Sequence, residues 1–203
     1  MSQSAEAETA YAALSARAAG CRRCPRMEGR RRVLGAVNGP LGARALFVAE
    51  APGRLGADRT GVPLSGDQSG RNFAALLAAS GLRRDEVFVT NAVLCNPRDA
   101  QGRNAPPSPA EIRSCSGFLR ETIAVVDPLV VVALGASALR ALALLAPHEL
   151  RLARDVARPA RWGERWLVAL YHPSPRAQLH RPFGRQLDDF RALGSFLASL
   201  PES

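Results

Sequence analysis

The stretch Asp127-Pro-Leu-Val-Val-Val-Ala-Leu-Gly135 decides the fold class. Its valine-rich run has no polar alternation, and Asp-Pro before it and glycine after it punctuate both ends. An unbroken β-branched run of this kind is expected of a strand buried on both faces, as in a parallel sheet covered by helices. The pattern repeats outward in both directions. Ser108-Pro-Ala-Glu111 is a helix start, with Ser as N-cap, Pro at the first position and Glu at the third, and it predicts a helix to about residue 126. Residues 136–145 read as helix, as do 4–19, 72–79 and 182–200, while apolar runs at 45–49, 87–93 and 166–170 read as strands. Alternating strands and helices predict an α/β protein, a three-layer α/β/α sandwich around a central, mainly parallel four-stranded sheet.

The length of 203 residues suits one domain over 1–203, with 1–20 as an N-terminal helix and 21–32 as an arginine-rich arm. No apolar run approaches the ~18 residues of a membrane-spanning helix. The acidic N-terminus lacks the basic and apolar regions of a secretory signal, so a cytoplasmic protein is expected. The formal net charge is +9, and all 27 basic residues are arginine. A chain this basic tends to meet a polyanion, although arginines solvated on helix faces would give the same count.

Four cysteines occur, as Cys21-Arg-Arg-Cys24, Cys95 and Cys115. In a reducing compartment two structural disulfides are a poor reading. Four thiolates suit one zinc ion or a four-iron cluster. Zinc sites usually use two close pairs, whereas Cys95 and Cys115 are separated by nineteen residues, which favours the cluster. Loops binding it would then lie at one side of the fold.

In a parallel sheet the site opens at the carboxyl ends of the strands. After the first strand come Glu50-Ala-Pro-Gly53, Gly56-Ala-Asp-Arg-Thr-Gly61 and Ser65-Gly-Asp-Gln-Ser-Gly70. The second ends at Asn91, and the last leads into His172-Pro-Ser-Pro-Arg176. An amide, an imidazole and one or two carboxylates thus converge beside glycine-rich backbone.

These motifs, with the cysteines, resemble the uracil-DNA glycosylase superfamily and its iron–sulfur branches, over residues 21–193. Glu50-Ala-Pro-Gly53, Val89-Thr-Asn91 and Tyr171-His-Pro-Ser174 are similar to the family-four enzymes. Asp58-Arg-Thr-Gly61 and Ser65-Gly-Asp-Gln-Ser-Gly70 are closer to family five. The resemblance implies hydrolysis of the N-glycosidic bond of deoxyuridine in DNA, without a diffusible cofactor and with a structural four-iron four-sulfur cluster on Cys21, Cys24, Cys95 and Cys115. Zinc is the alternative metal.

The chemistry agrees. Breaking that bond leaves positive charge on the sugar and negative charge on the base, mostly at O2. A neutral His172 is the candidate donor to O2, on the logic of an oxyanion hole. Asn91 offers one acceptor and one donor, matching uracil N3–H and O4 and mismatching cytosine. Glu50 holds the family-four carboxylate position and Asp67 the family-five one; either could orient a water, and each has a plain structural alternative, Asp67 as a turn residue and Glu50 as a holder of loop amides.

Gly53 is a candidate substrate contact, and Ser174 with the nearby glycine-rich amides would hold phosphates. Both related subgroups usually carry phenylalanine where this chain has Leu64, so the base loses an aromatic contact unless Phe73 or Phe47 supplies one. A buried base must be flipped out or met in a single strand. Arg176 or Leu179 could fill the space it leaves, and Arg181 and Arg185 are candidate phosphate contacts. The 96–107 loop has no histidine, which argues against the covalent uracil-binding branch. Uracil-containing DNA is the expected partner, met by a monomer. A silent lesion-binding relative, or an enzyme for hypoxanthine or xanthine, are the competing functions.

Overall fold

A computed structural model describes residues 3–201; residues 1–2 and 202–203, the ends of the expected 1–203 domain, lie outside the described residues. The five strands are β1 (Ala45–Ala49), β2 (Phe88–Asn91), β3 (Val130–Leu134), β4 (Ala160–Trp162) and β5 (Arg165–Leu170). They form one sheet in the order β2-β1-β3-β5-β4. The valine run is its middle strand, buried at every residue. β1, β2, β3 and β5 are parallel, and β4 joins β5 antiparallel. The sequence reading had four strands; β4 is the correction. It is a three-residue edge strand without apolar alternation, closed on β5 by a turn through Gly163, whose φ of 61° is left-handed.

The helices are α1 (Gln3–Ala19), α2 (Ala57–Thr60), α3 (Gln68–Ala79), α4 (Pro109–Val126), α5 (Ala136–Ala143), α6 (Leu152–Asp155) and α7 (Phe183–Ser199). α4 starts as its sequence dictates. Ser108 accepts from the Glu111 N–H, the Glu111 carboxylate accepts from the Ser108 N–H, and the helix stops before Asp127-Pro128.

Side chains alternate across the sheet and divide the core in two. Leu46, Val48, Phe88, Val131 and Leu167 pack with Leu14 of α1, Ile112 and Leu119 of α4 and Leu139 of α5. Phe47, Val89, Val132 and Val168 face the other way, onto Phe73 and Leu76 of α3 and Phe190 and Leu193 of α7. This is the expected three-layer sandwich. Gly194 lets α7 meet α3: a Cβ there would lie 2.0 Å from the Ser80 carbonyl oxygen. Among the described residues no helix is long and apolar enough to cross a membrane.

β1 leads to β2 on one side and β3 leads toward β5 on the other, so the chain diverges between them. That divergence opens a crevice at the carboxyl ends of β1 and β3, where ligands bind in open α/β sheets.

Candidate active site

A cleft of about 620 Å³ occupies that crevice. Glu50, Gly53, Leu64, Asp67, His172, Ser174 and Arg176, all named from the sequence, line it together. Asn91 does not line it. It ends β2 in register with Ala49, and alternation puts its side chain on the α3/α7 face with Val89. Asn91 is buried, and its Nδ2 has no hydrogen-bond partner among the described residues. A buried amide left unpaired is uncommon and calls for an explanation.

His172 is held from three sides. Its Nδ1 accepts the Ser174 backbone N–H at 3.2 Å. Asn72 of α3 donates to the Pro173 carbonyl at 2.7 Å, fixing the loop from the helix side. Gly135, at the end of β3, has φ of 94°, and a Cβ there would stand 3.4 Å from that of His172. Burial pushes the imidazole below its ordinary pKa, against the pull of the nearby Glu50 and Asp67 carboxylates. The result is a neutral ring with Nδ1 as acceptor, and its proton on Nε2.

The two carboxylates have different surroundings. Asp67 caps α3, its Oδ1 accepting from the Gly70 N–H at 3.0 Å. Its Oδ2 rests against the glycine loop: Cβ atoms on Gly53 and Gly56 would come within 2.7 and 2.4 Å of it. Among the described residues no loop amide donates to the Glu50 carboxylate. It accepts a hydrogen bond from the hydroxyl of Ser137 in α5, and that hydroxyl in turn accepts from Arg140 Nη2 at 2.9 Å.

The loop after Cys95 reaches back to the same cleft. Asn96 donates to the Pro52 carbonyl at 2.6 Å and to Asn104 Oδ1 at 3.0 Å, and Asn104 Oδ1 also accepts the Arg54 N–H. Arg98 donates to Asn96 Oδ1 and forms an ion pair with Asp58 at 2.7 Å. Asn104, Tyr171, Ser137, Arg140 and His180 line the cleft as well. Sequence reasoning quoted Tyr171 only as part of its motif and did not single out the others. The signal for Ser137 was available, since it follows a strand end just as Glu50 does.

Leu64 lines the cleft with φ of 49°, a left-handed backbone that leucine seldom adopts. Neither Phe47 nor Phe73 can replace the aromatic it lacks. Both are buried in the core, edge to face with each other at 5.4 Å between centroids, and neither lines the cleft. Leu179 is 82% exposed just past the His-Pro-Ser loop. Arg181 pairs with the buried Asp189 carboxylate through Nε and Nη2, which leaves Nη1 as the part of its guanidinium without a protein partner among the described residues. Arg185 is exposed.

All four cysteines are free thiols lining one small pocket on the α1/α4 side, with Ala18, Met27 and Phe118. Burial pushes the Cys95 thiol up to about 11 and the Cys115 thiol up to about 12. The Leu94 N–H donates to Cys115 Sγ at 3.4 Å. Among the described residues no three His, Cys, Asp or Glu side chains form a group that could hold a metal ion. The donor set suits a metal centre all the same: four sulfurs meet in one pocket, with no oxygen or nitrogen ligand competing. Much of the arm's charge holds the arm itself. Arg26 pairs with Glu111, Arg32 donates to the Cys21 carbonyl, and Arg23 lies over the Phe118 ring.

A scan of protein-family models matches residues 36–193 to the Uracil DNA glycosylase superfamily. The match starts after Cys21 and Cys24. Among curated proteins, the Type-4 uracil-DNA glycosylase of Archaeoglobus fulgidus is 35% identical over 159 residues, covering 75% of this chain and 76% of the relative. That of Thermotoga maritima is 34% identical over 162 residues, covering 79% and 80%. The Type-5 uracil-DNA glycosylase of Pyrobaculum aerophilum is 33% identical over 185 residues, covering 76% and 78%. With most of its length matched and its sheet edge built as described, the chain belongs to the uracil DNA glycosylase superfamily.

Proposed function

We propose that this chain is a uracil-DNA glycosylase, hydrolysing the bond between uracil and deoxyribose in DNA to begin base excision. The observation that carries the reading is His172, a neutral imidazole whose Nδ1 is occupied by the Ser174 N–H and whose Nε2–H is the remaining donor. Relatives covering three quarters of the chain bear the same activity in their names.

The target base enters the cleft after leaving the stack, or from a single strand. As the C–N bond breaks, its electron pair moves to the base, and His172 Nε2–H donates to O2 where the charge collects. Asn91 stands behind the cleft lining at the end of β2, and a base that reaches that far meets its unpaired amide, which accepts from N3–H and donates to O4. Water adds to the sugar carbon, and a carboxylate takes its proton and offsets the sugar's positive charge. Ser174 and Arg176 meet phosphates at the cleft's edge, while exposed Leu179 fills the space left by the base.

Cys21, Cys24, Cys95 and Cys115 would hold a four-iron four-sulfur cluster with a structural role, tying the arm to the end of the loop that carries Asn96. The nineteen residues between Cys95 and Cys115 favour a cluster over zinc, whose sites usually use two close pairs. Iron and acid-labile sulfide at about four each per chain are expected; stoichiometric zinc with neither would overturn this. The monomeric, cytoplasmic protein expected from the sequence belongs to the same proposal.

The test uses oligonucleotides with a single uracil, hypoxanthine or xanthine, in single and double strands, followed by alkaline cleavage of abasic sites. Cleavage at uracil is expected. Cleavage only at a purine would move the substrate, and none at any base would sink the enzyme reading.

A further inference from the structure

We propose that Ser137 and Arg140 are positioning residues that aim Glu50, and that Glu50, rather than Asp67, therefore holds the hydrolytic water. The inference rests on the glycosylase reading and deepens it. Ser137 sits in the first turn of α5, just past the carboxyl end of β3, and is buried. Its hydroxyl has a single proton. Arg140, one turn on, can only donate, and its Nη2 fills the hydroxyl's acceptor side at 2.9 Å. The Ser137 proton therefore points to Glu50 Oε2, and the order Arg140 to Ser137 to Glu50 cannot run in reverse.

This chain pins one oxygen of Glu50 and leaves Oε1 without a protein partner among the described residues, on a residue that lines the cleft. The Oδ2 of Asp67 also has no hydrogen-bond partner among the described residues, but it is crowded where Oε1 of Glu50 is not. One Asp67 oxygen caps α3 and the other is packed against Gly53 and Gly56, where no Cβ could stand. A carboxylate that must accept a proton from water in a fixed direction needs one oxygen held and one open. Glu50 meets that need. Arg140 makes no ion pair with Glu50, so its charge reaches the carboxylate through the serine.

The test measures single-turnover excision of uracil and, separately, the dissociation constant for an oligonucleotide carrying an uncleavable uracil analogue. Ser137→Ala should slow excision roughly 10–100-fold, the scale of a slightly misplaced group, with binding unchanged. Ser137→Thr, which keeps the hydroxyl, should recover most of the rate. Arg140 is exposed, so Arg140→Met keeps the fold, and it should slow excision by a smaller factor, again without weakening binding. In a Glu50→Gln background neither change should cost anything further, because the group they aim is gone. If Arg140→Met changed only binding, Arg140 would be a DNA contact and the relay would fall. If Glu50→Gln abolished excision while Ser137→Ala and Arg140→Met kept the wild-type rate, the relay would fall and the glycosylase reading would stand. A Glu50→Gln variant as fast as wild type would remove Glu50 from the chemistry altogether.

Discussion

Ser174 donates its backbone N–H to Nδ1 of His172 across 3.2 Å, and that bond sets the tautomer of the ring. Protonating the imidazole would place a second proton on Nδ1, where the Ser174 N–H already points. Burial resists the same step by holding the pKa down. Excision should therefore be level around neutral pH and fall only on the acid side of the ordinary histidine value of about 6.5. His172→Ala should lose roughly 10²–10³ in rate at pH 7.

Stability should follow the same group. With the folded pKa depressed, the unfolded chain takes up the proton first on acidification. The folded state then loses stability as the pH falls below about 6.5 and on toward the lower folded value. Melting curves at several acid pH values would detect this, with His172→Ala showing a shallower decline. Equal slopes in the two proteins would remove His172 as the source.

Asn91 gives a prediction in which stability and activity separate. Its Nδ2 is already buried without a partner, so truncation removes an existing penalty along with the side chain. Asn91→Ala should change unfolding free energy by about 1 kcal/mol or less. Uracil excision should nevertheless fall by roughly 10² or more, the scale on which buried polar recognition discriminates. A large loss of stability with a proportionate loss of activity would make Asn91 an ordinary structural amide.

Much of this was legible in the chain because local signals and the global pattern agree. Ser108-Pro-Ala-Glu111 carries its cap, its proline and its reciprocal glutamate in four residues, and α4 begins where they imply and ends before Asp127-Pro128. Glu50 and His172 stand just past strand ends, where a parallel sheet opens, and that placement marks them in the sequence. Ser137 comes after β3 by the same rule, but it lies inside a helix and carries no charge to draw notice. The arrangement of the two carboxylates was not legible at all. It depends on Gly53 and Gly56 approaching Asp67 across a loop, and on α5 reaching Glu50 from a distant part of the chain. The pairing of Arg181 was not legible either, because its partner Asp189 lies eight residues on and is buried.

The glycine loop can be tested directly. A Cβ on Gly53 would meet Asp67 Oδ2 at 2.7 Å and nothing else closer than 4.0 Å. Asp67 cannot swing away freely, since its other oxygen caps α3. Gly53→Ala should thus destabilise by ~1–3 kcal/mol, the usual cost of overpacking. Asp67→Ser, shorter but still a good N-cap, should recover most of that in the double variant. Denaturant unfolding of the three variants would decide it; additive losses would place the clash elsewhere.

Leu64 is the position where this chain departs from the subgroups it resembles. It lines the cleft, and its φ of 49° is unfavourable for any side chain with a Cβ. Exchanging it for phenylalanine leaves that backbone cost nearly unchanged, so the effect of Leu64→Phe reads out in contact with the base. A flat aromatic face should tighten binding of an extrahelical uracil by about 1 kcal/mol, the lower end of base–aromatic stacking. That is roughly fivefold in dissociation constant. Phe47 and Phe73 offer no substitute, being locked in the core with Phe190. Leu64→Ala should shift binding the other way. The measurement is affinity for an uncleavable uracil analogue in single-stranded DNA. Identical affinities in all three proteins would mean that Leu64 shapes the loop and never covers the base.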